Sequence, residues 1–306
     1  MLAAKGVARR EARATIGKLR DKAVAPATLR RYIFACSLFL TYVGVWEGFL
    51  ADDWERLDLQ LGNFIEYLWS EGETRQRAAD SLSGAQHFLQ TRRHFPGAWR
   101  LLSTWQRMEM PDRAPPLPPL VLFALCGLAE AQGRSDFVAV LLLSFHCMLR
   151  SMEGVGATVG QIALQTDFTG VLALPWTKIG QQRGAQELVT IDDPKVGLRV
   201  GVAMSGRTPG ETLLKCSANH FKNWFSSSLE FLGLGHFGFR LYSLRRGGAT
   251  HDFRVHGSVS RTLLRGRWSG TSVARIYVTE GLALLTQMHF PNATVELLEY
   301  YVGKLR

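Results

Sequence analysis

The chain has 306 residues, of which 46% are apolar and 20% charged, and its 36 basic residues outweigh 26 acidic ones to give a formal charge of +10. Those proportions suit a folded protein with its own core and exclude a chain that is mainly disordered. A membrane span needs about 20 apolar residues; the longest apolar run, Phe137 to Leu149, is broken by Ser144 and His146, so it is expected to be a buried helix. The charge excess favours a polyanionic partner.

The basic excess begins early. Residues 1–31 hold nine Lys and Arg against Glu11 and Asp21. Residues 1–25 therefore read as a basic tail: a solvated tail, a DNA-contacting arm and an organelle transit peptide all fit. No apolar stretch follows a charged start, so no secretory leader is expected.

Residues 26–112 read as a small four-helix domain. Leu29, Ile33, Cys36, Leu40 and Val43 step by four and three, the stripe of one helix, with Pro26 and Thr28 in its first turn. Leu61, Ile65 and Leu68 mark a second helix, with Asp58 as its expected cap. Ala78, Leu82, Ala85 and Leu89 mark a third, and Trp99, Leu102 and Trp105 a short fourth.

Residues 113–119 read RAPPLPP. Proline removes donors and favours extended backbone, so this stretch is expected to be a linker. Helical spacing resumes at 120, and Ser135 is the expected cap of an apolar helix ending at Arg150. Val171–Trp176 and Glu187–Ile191 are rich in strand formers and flank a polar, glycine-containing segment, which predicts a hairpin. Residues 194–306 return to helical spacing. The predicted fold is mostly α with a small antiparallel sheet. The helix around Val295–Val302, with apolar Leu297, Leu298 and Tyr301, can dock in a neighbour or pack at home.

Some motifs carry no chemistry. Gly233, Gly235 and Gly238 match GxGxxG, but a helical run precedes them where a dinucleotide fold needs a strand. The four cysteines lack metal or redox spacing and read as reduced core thiols in an intracellular protein. The eight histidines show no HxxxH or HExxH, so neither metal nor cofactor is expected.

Other residues are harder to dismiss. Arg150 follows an apolar run, and a charge buried there needs a partner; Glu153 lies one turn on. Lys178 sits in the predicted hairpin. Tyr242 and Arg245 are three apart at a helix start and share a face. Trp268 stands nine residues before Tyr277.

Together these pieces resemble the tyrosine recombinases, the phage-type integrases. Arg150 and Glu153 in LRSME match the family's first arginine and its acid. Lys178 in WTKIG matches the hairpin lysine. Tyr242 and Arg245 in YSLR match H-x-x-R, followed by Gly247, Gly248, Ala249 and Thr250. Trp268 takes the place of His or Trp, the tryptophan choice resembling Cre-like recombinases, and Tyr277 that of the nucleophile. Two positions depart from the pattern: Tyr242 stands where histidine is usual, and Arg267 where glycine is usual.

The resemblance implies a core-binding domain at 26–112 and a catalytic domain at 120–306. It implies double-stranded DNA as partner, four protomers on paired sites, and residence with the DNA. Tyr277 would attack phosphorus, leaving a 3′-phosphotyrosine that stores the bond energy. Arg150 and Arg245 would fork onto the phosphate oxygens. Lys178 would protonate the departing 5′-oxygen, Tyr242 and Trp268 would donate hydrogen bonds, and Glu153 would orient Arg150. A recombinase-derived DNA-binding protein and a type IB topoisomerase are the competing classes.

Overall fold

A computed structural model describes residues 10, 13–15, 18, 22–44, 53–91, 95–109, 113–174, 187–268, 270–271, 284 and 289–305. The chain divides into two compact units, Met1–Asp112 and Arg113–Arg306.

In the first unit, α1 spans Pro26–Val43, α2 Trp54–Ser70, α3 Arg75–Phe88 and α4 Pro96–Met108. Their core gathers Phe39, Leu61, Phe64, Leu82, Leu102 and Trp105. Only part of the expected α1 stripe turns inward: Cys36, Leu40 and Val43 are partly buried, and the face centres beside them. Ala35 and Phe39 are buried, whereas Ile33 is 51% exposed. Residues 33–40 are apolar almost all round, so spacing alone does not choose a face. Gly84 of α3 chooses it: without a Cβ it admits Cys36 and Tyr32, which an added Cβ would meet at 2.7 and 3.2 Å.

Asp58 is also not the cap of its own helix. Asp53 caps α2, accepting the Arg56 N–H. Asp58 caps α4 across the bundle, taking the N–H groups of Gly97 at 2.8 Å and Ala98 at 2.9 Å. It is needed there because α4 opens on Phe95, which has no capping side chain, and Pro96.

In the second unit, α5 (Pro119–Ala131), α6 (Ser135–His146) and the five-residue α7 (Ser151–Val155) lead into the sheet. Strands β1 (Ile162–Leu164), β2 (Gly170–Leu174) and β3 (Glu187–Ile191) pair antiparallel in that order. Leu172 lies opposite Val189, and both are buried. The chain continues through α8 (Pro194–Met204), α9 (Ala218–Phe231), α10 (Leu241–His256), α11 (Val259–Gly266) and α12 (Asn292–Val302). The fold is thus mostly α with a small antiparallel sheet, as the sequence predicts.

Several local expectations change. Ser135 is the first residue of α6 rather than its cap. That helix stops at His146, four residues before Arg150, because Met148 turns left-handed at φ 47°. Strand β1 extends the predicted hairpin to three strands. The tip of that hairpin, 175–186, lies outside the described residues, as does most of the basic tail.

Residues 113–118, expected to link domains, are built into the second unit. Leu117 is buried, its N–H donates to the Ser243 carbonyl at 3.0 Å, and the Ala114 carbonyl accepts from Arg246. The α12 helix packs at home on α5, with Leu298 buried and Gly127 making room for the Tyr301 carbonyl. All four cysteines are free, and burial pushes the Cys36 thiol up to about 11 and Cys147 up to about 12.

Candidate active site

The site begins at the turn between α6 and α7. Met148 takes the left-handed conformation at the end of α6; its N–H bonds the Phe145 carbonyl and the Leu149 N–H bonds that of Ser144. This paired closure is how helices commonly end, ordinarily on glycine. It leaves the Met148 carbonyl turned away from the α6 ladder.

Two residues later Arg150 caps α7. Its backbone N–H donates to Glu153 Oε2 at 2.8 Å and its Nη1 to Glu153 Oε1 at 2.6 Å. The sequence expectation that Glu153 partners Arg150 is met in this double bond. The Arg150 side chain remains 31% exposed, and its Nε and Nη2 hydrogen-bond no described residue. Among the described residues, that edge of the partly exposed guanidinium keeps donors to offer.

Arg245 arrives from the second turn of α10. The helix opens with Arg240 as cap, the Arg240 N–H donating to Ser243 Oγ at 3.0 Å. Gly247 and Gly248 let it press against Leu117 and Phe145, where an added Cβ would overlap backbone carbonyls. Arg245 is 1% exposed. Its Nη1 donates to the Met148 carbonyl and its Nη2 to the Gly266 carbonyl at 2.7 Å. The family resemblance assigns Arg150 and Arg245 like roles; the structure makes one partly open and the other enclosed.

Trp268 follows α11. Its ring lies 5.0 Å from the Arg245 guanidinium, within cation–π range. Gly266 permits this fold-back, since a Cβ there would run into the indole. Between them, Arg267 takes φ 58°, the conformation glycine adopts freely. Its guanidinium donates to Glu153 Oε2 at 2.7 Å and to the Met148 carbonyl at 3.3 Å, and lies 3.7 Å from Glu187. Burial works against a charge on Glu153, but Arg267 and Arg150 outweigh it and hold the carboxyl below the ordinary glutamate range.

Tyr242 is 37% exposed and lines a shallow groove with Ser151, Met152 and Lys222. It shares that groove with the residues that follow Arg150, while Arg245, three residues on, is buried. Lys178 and Tyr277 lie outside the described residues. The structure therefore gathers Arg150, Glu153, Arg245 and Trp268 around one turn, with Tyr242 at a neighbouring groove.

Sequence reasoning did not find the Met148 carbonyl, Glu187 or the reach of Arg267. The only signal was that arginine at 267 breaks a glycine pattern.

A second charged network steadies α11. Arg265 pairs with Asp192 just past β3 and donates to the His146 carbonyl at 2.9 Å. Thr262 Oγ1 donates to Asp252 of α10 at 2.7 Å.

No family model matches the chain, and no curated protein does. Solved structures do. A lambda integrase dimer bound to a COC′ core site is 13% identical, with TM-score 0.58, covering 86% of this chain and 74% of that one. The Tn1549 transposon integrase in complex with circular intermediate DNA is 10% identical, with TM-score 0.52 and coverage of 86% and 99%. XerH site-specific recombinase bound to palindromic difH substrate is 10% identical, with TM-score 0.50 and coverage of 80% and 75%. At these identities the likeness is one of fold. The chain has the fold of the tyrosine recombinases and integrases.

Proposed function

We propose that this protein is a site-specific DNA recombinase or integrase that cuts and rejoins duplex DNA through a 3′-phosphotyrosine on Tyr277. The observation that carries this reading is the convergence of Arg150 and Arg245, from distant parts of the sequence, on one turn beside Trp268. That convergence occurs in a fold shared with integrases and recombinases solved on DNA.

The reaction needs little else. The Tyr277 phenol gives up its proton to solvent as its oxygen bonds to phosphorus, the bond to the 5′-oxygen breaks, and Lys178 gives that oxygen its proton and is reprotonated from water. Phenol and alkoxide exchange without net loss of ester bonds, so neither ATP nor a metal is required. Negative charge grows on the non-bridging oxygens. The partly exposed Arg150 meets it directly, Arg245 and Trp268 back it, and Tyr242 donates from the groove. Preorganised donors of this kind each lower such a barrier by about 3–4 kcal/mol. The first unit would serve as the core-binding domain, the basic excess would neutralise phosphates, and four protomers would act on two sites.

The test is covalent capture. The full chain is incubated with nicked duplexes of randomised core sequence, denatured, and probed for protein-linked DNA. The expected result is an adduct, abolished by Tyr277→Phe while duplex affinity stays nearly unchanged. An adduct that survives Tyr277→Phe would assign another nucleophile. DNA binding without any adduct would favour a recombinase-derived binding protein.

A further inference from the structure

Of the three non-glycine residues at positive φ among the described residues of the second unit, Met148 and Arg267 share a setting that Phe168 does not. Each ends a helix in the left-handed conformation, at φ 47° and 58°, and each closes it with the same two backbone bonds. Glycine takes that conformation without strain, and a long side chain does not. Arginine at 267 is thus costly to the backbone, and its head group must give something back.

Its contacts say what. The Arg267 side chain is 7% exposed. It bonds Glu153 Oε2, the same oxygen that receives the Arg150 N–H, while Oε1 holds the Arg150 guanidinium. It shares the Met148 carbonyl with Arg245. It also lies 3.7 Å from Glu187, which opens β3 and is the first described residue after the segment carrying Lys178. One guanidinium therefore touches the anchor of each of the other two arginines and the base of the hairpin.

We propose that Arg267 is a positioning residue for strand transfer. It keeps Glu153 ionised and fixed, and so holds Arg150 in a single orientation toward the scissile phosphate. Through Met148 and Glu187 it joins that orientation to Arg245 and to the hairpin base. The inference rests on the reading that Arg150 contacts the phosphate. The corner then holds three guanidinium groups, of Arg150, Arg245 and Arg267, against two carboxylates, of Glu153 and Glu187. The surplus positive charge matches one phosphodiester. Without Arg267, Glu153 would be half-buried against Arg150 alone. It would protonate more readily, and Arg150 would be free to swing.

The test uses Arg267→Gly, Arg267→Lys, Glu153→Gln and the double variant Arg267→Gly/Glu153→Gln in the full chain. Glycine suits the backbone at 267, so a defect there reports the lost guanidinium. Single-turnover adduct formation is measured on the captured duplex beside duplex affinity. Arg267→Gly is expected to slow adduct formation roughly 10- to 100-fold, as a misplaced reacting group does, with affinity little changed. Its acid limb should move to higher pH. Arg267→Lys should restore part of the rate. The double variant should be little slower than either single, since both act on one contact.

An unchanged rate in Arg267→Gly, or additive defects, would overturn the proposal. So would a rate loss that follows a falling Tm while the acid limb stays put. Should the wild type give no adduct at all, the functional reading fails instead. The Glu153 carboxyl titration, followed by ¹³C NMR in the free protein and assigned with Glu153→Gln, then decides this inference. Arg267→Gly should raise it, and an unmoved titration would overturn it.

Discussion

Gly248 lies flush against the carbonyl of Phe145, closely enough that any Cβ on it would overlap the oxygen. The contact seats α10 directly on α6. Arg245, one turn earlier on the same helix, is thereby carried beneath Met148. Gly248→Ala should lever the two helices apart, lowering stability by about 1–3 kcal/mol, the range for overpacked interiors. Adduct formation should suffer further, because Arg245 loses its seat. Gly210→Ala, with nothing within 4 Å, is the matched control. Urea unfolding of both variants checks this; equal stability would mean that α10 yields without strain.

Arg150 and Arg245 should fail differently when truncated. Arg150→Ala removes a half-open side chain, so Tm should move little while cleavage falls steeply. Arg245→Ala strips the donor from the Gly266 carbonyl and leaves the Met148 carbonyl only its longer bond from Arg267 at 3.3 Å. A buried carbonyl left without a donor costs about 1–3 kcal/mol, so this variant should melt lower as well as cleave poorly. Thermal melting beside single-turnover cleavage separates the pair. Equal melting temperatures would contradict the difference in enclosure.

Tyr242 is a groove residue rather than a core one. Tyr242→Phe should slow cleavage by about 1–3 kcal/mol, the loss of one donor to a charged group. Tyr242→His should keep activity and add a pH dependence near 6–7, where imidazole titrates at about 6.5. A silent Tyr242→Phe would remove the hydroxyl from the reaction.

Asp192 should govern acid stability in the second unit. Burial works against its charge, but hydrogen bonds from Arg265 and Thr190 prevail and pull its carboxyl from the ordinary 3.8 down to about 2. The unfolded carboxyl binds its proton first as pH falls. The stabilisation is therefore complete above 3.8 and lost as pH drops toward about 2. Asp192→Asn should lower Tm at neutral pH and flatten its fall across that window. A profile parallel to wild type would place the acid-labile group elsewhere.

What the sequence disclosed was what neighbours along the chain decide. Leu61, Ile65 and Leu68 line one buried face of α2 as their spacing requires, Glu187–Ile191 is a strand as its β-branched residues favour, and Glu153 grips the Arg150 three residues before it. What it concealed depends on distant partners. Asp58 reads as a cap and is one, but for a helix 38 residues away. Ile33 fits the α1 stripe, yet the helix turns Ala35 and Phe39 inward, with Cys36 and Tyr32 seated on Gly84, and leaves Ile33 exposed. Strand β1 is three residues long, and pairing with β2 rather than composition makes it a strand. Arg267 reads as a blemish because nothing nearby reveals that its head group reaches Glu153.

The buried course of residues 113–118 fixes where the second unit can be excised. A fragment opening at Pro119 would discard Leu117, leaving a void beside Gly247, and would take from Arg246 the Ala114 carbonyl and from the Ser243 carbonyl its donor. All three losses fall on α10, the helix that delivers Arg245. A fragment opening at Arg113 keeps them. Six residues that look like dispensable tether thus separate a recombinant piece with its arginine in place from one that has lost the wall behind it.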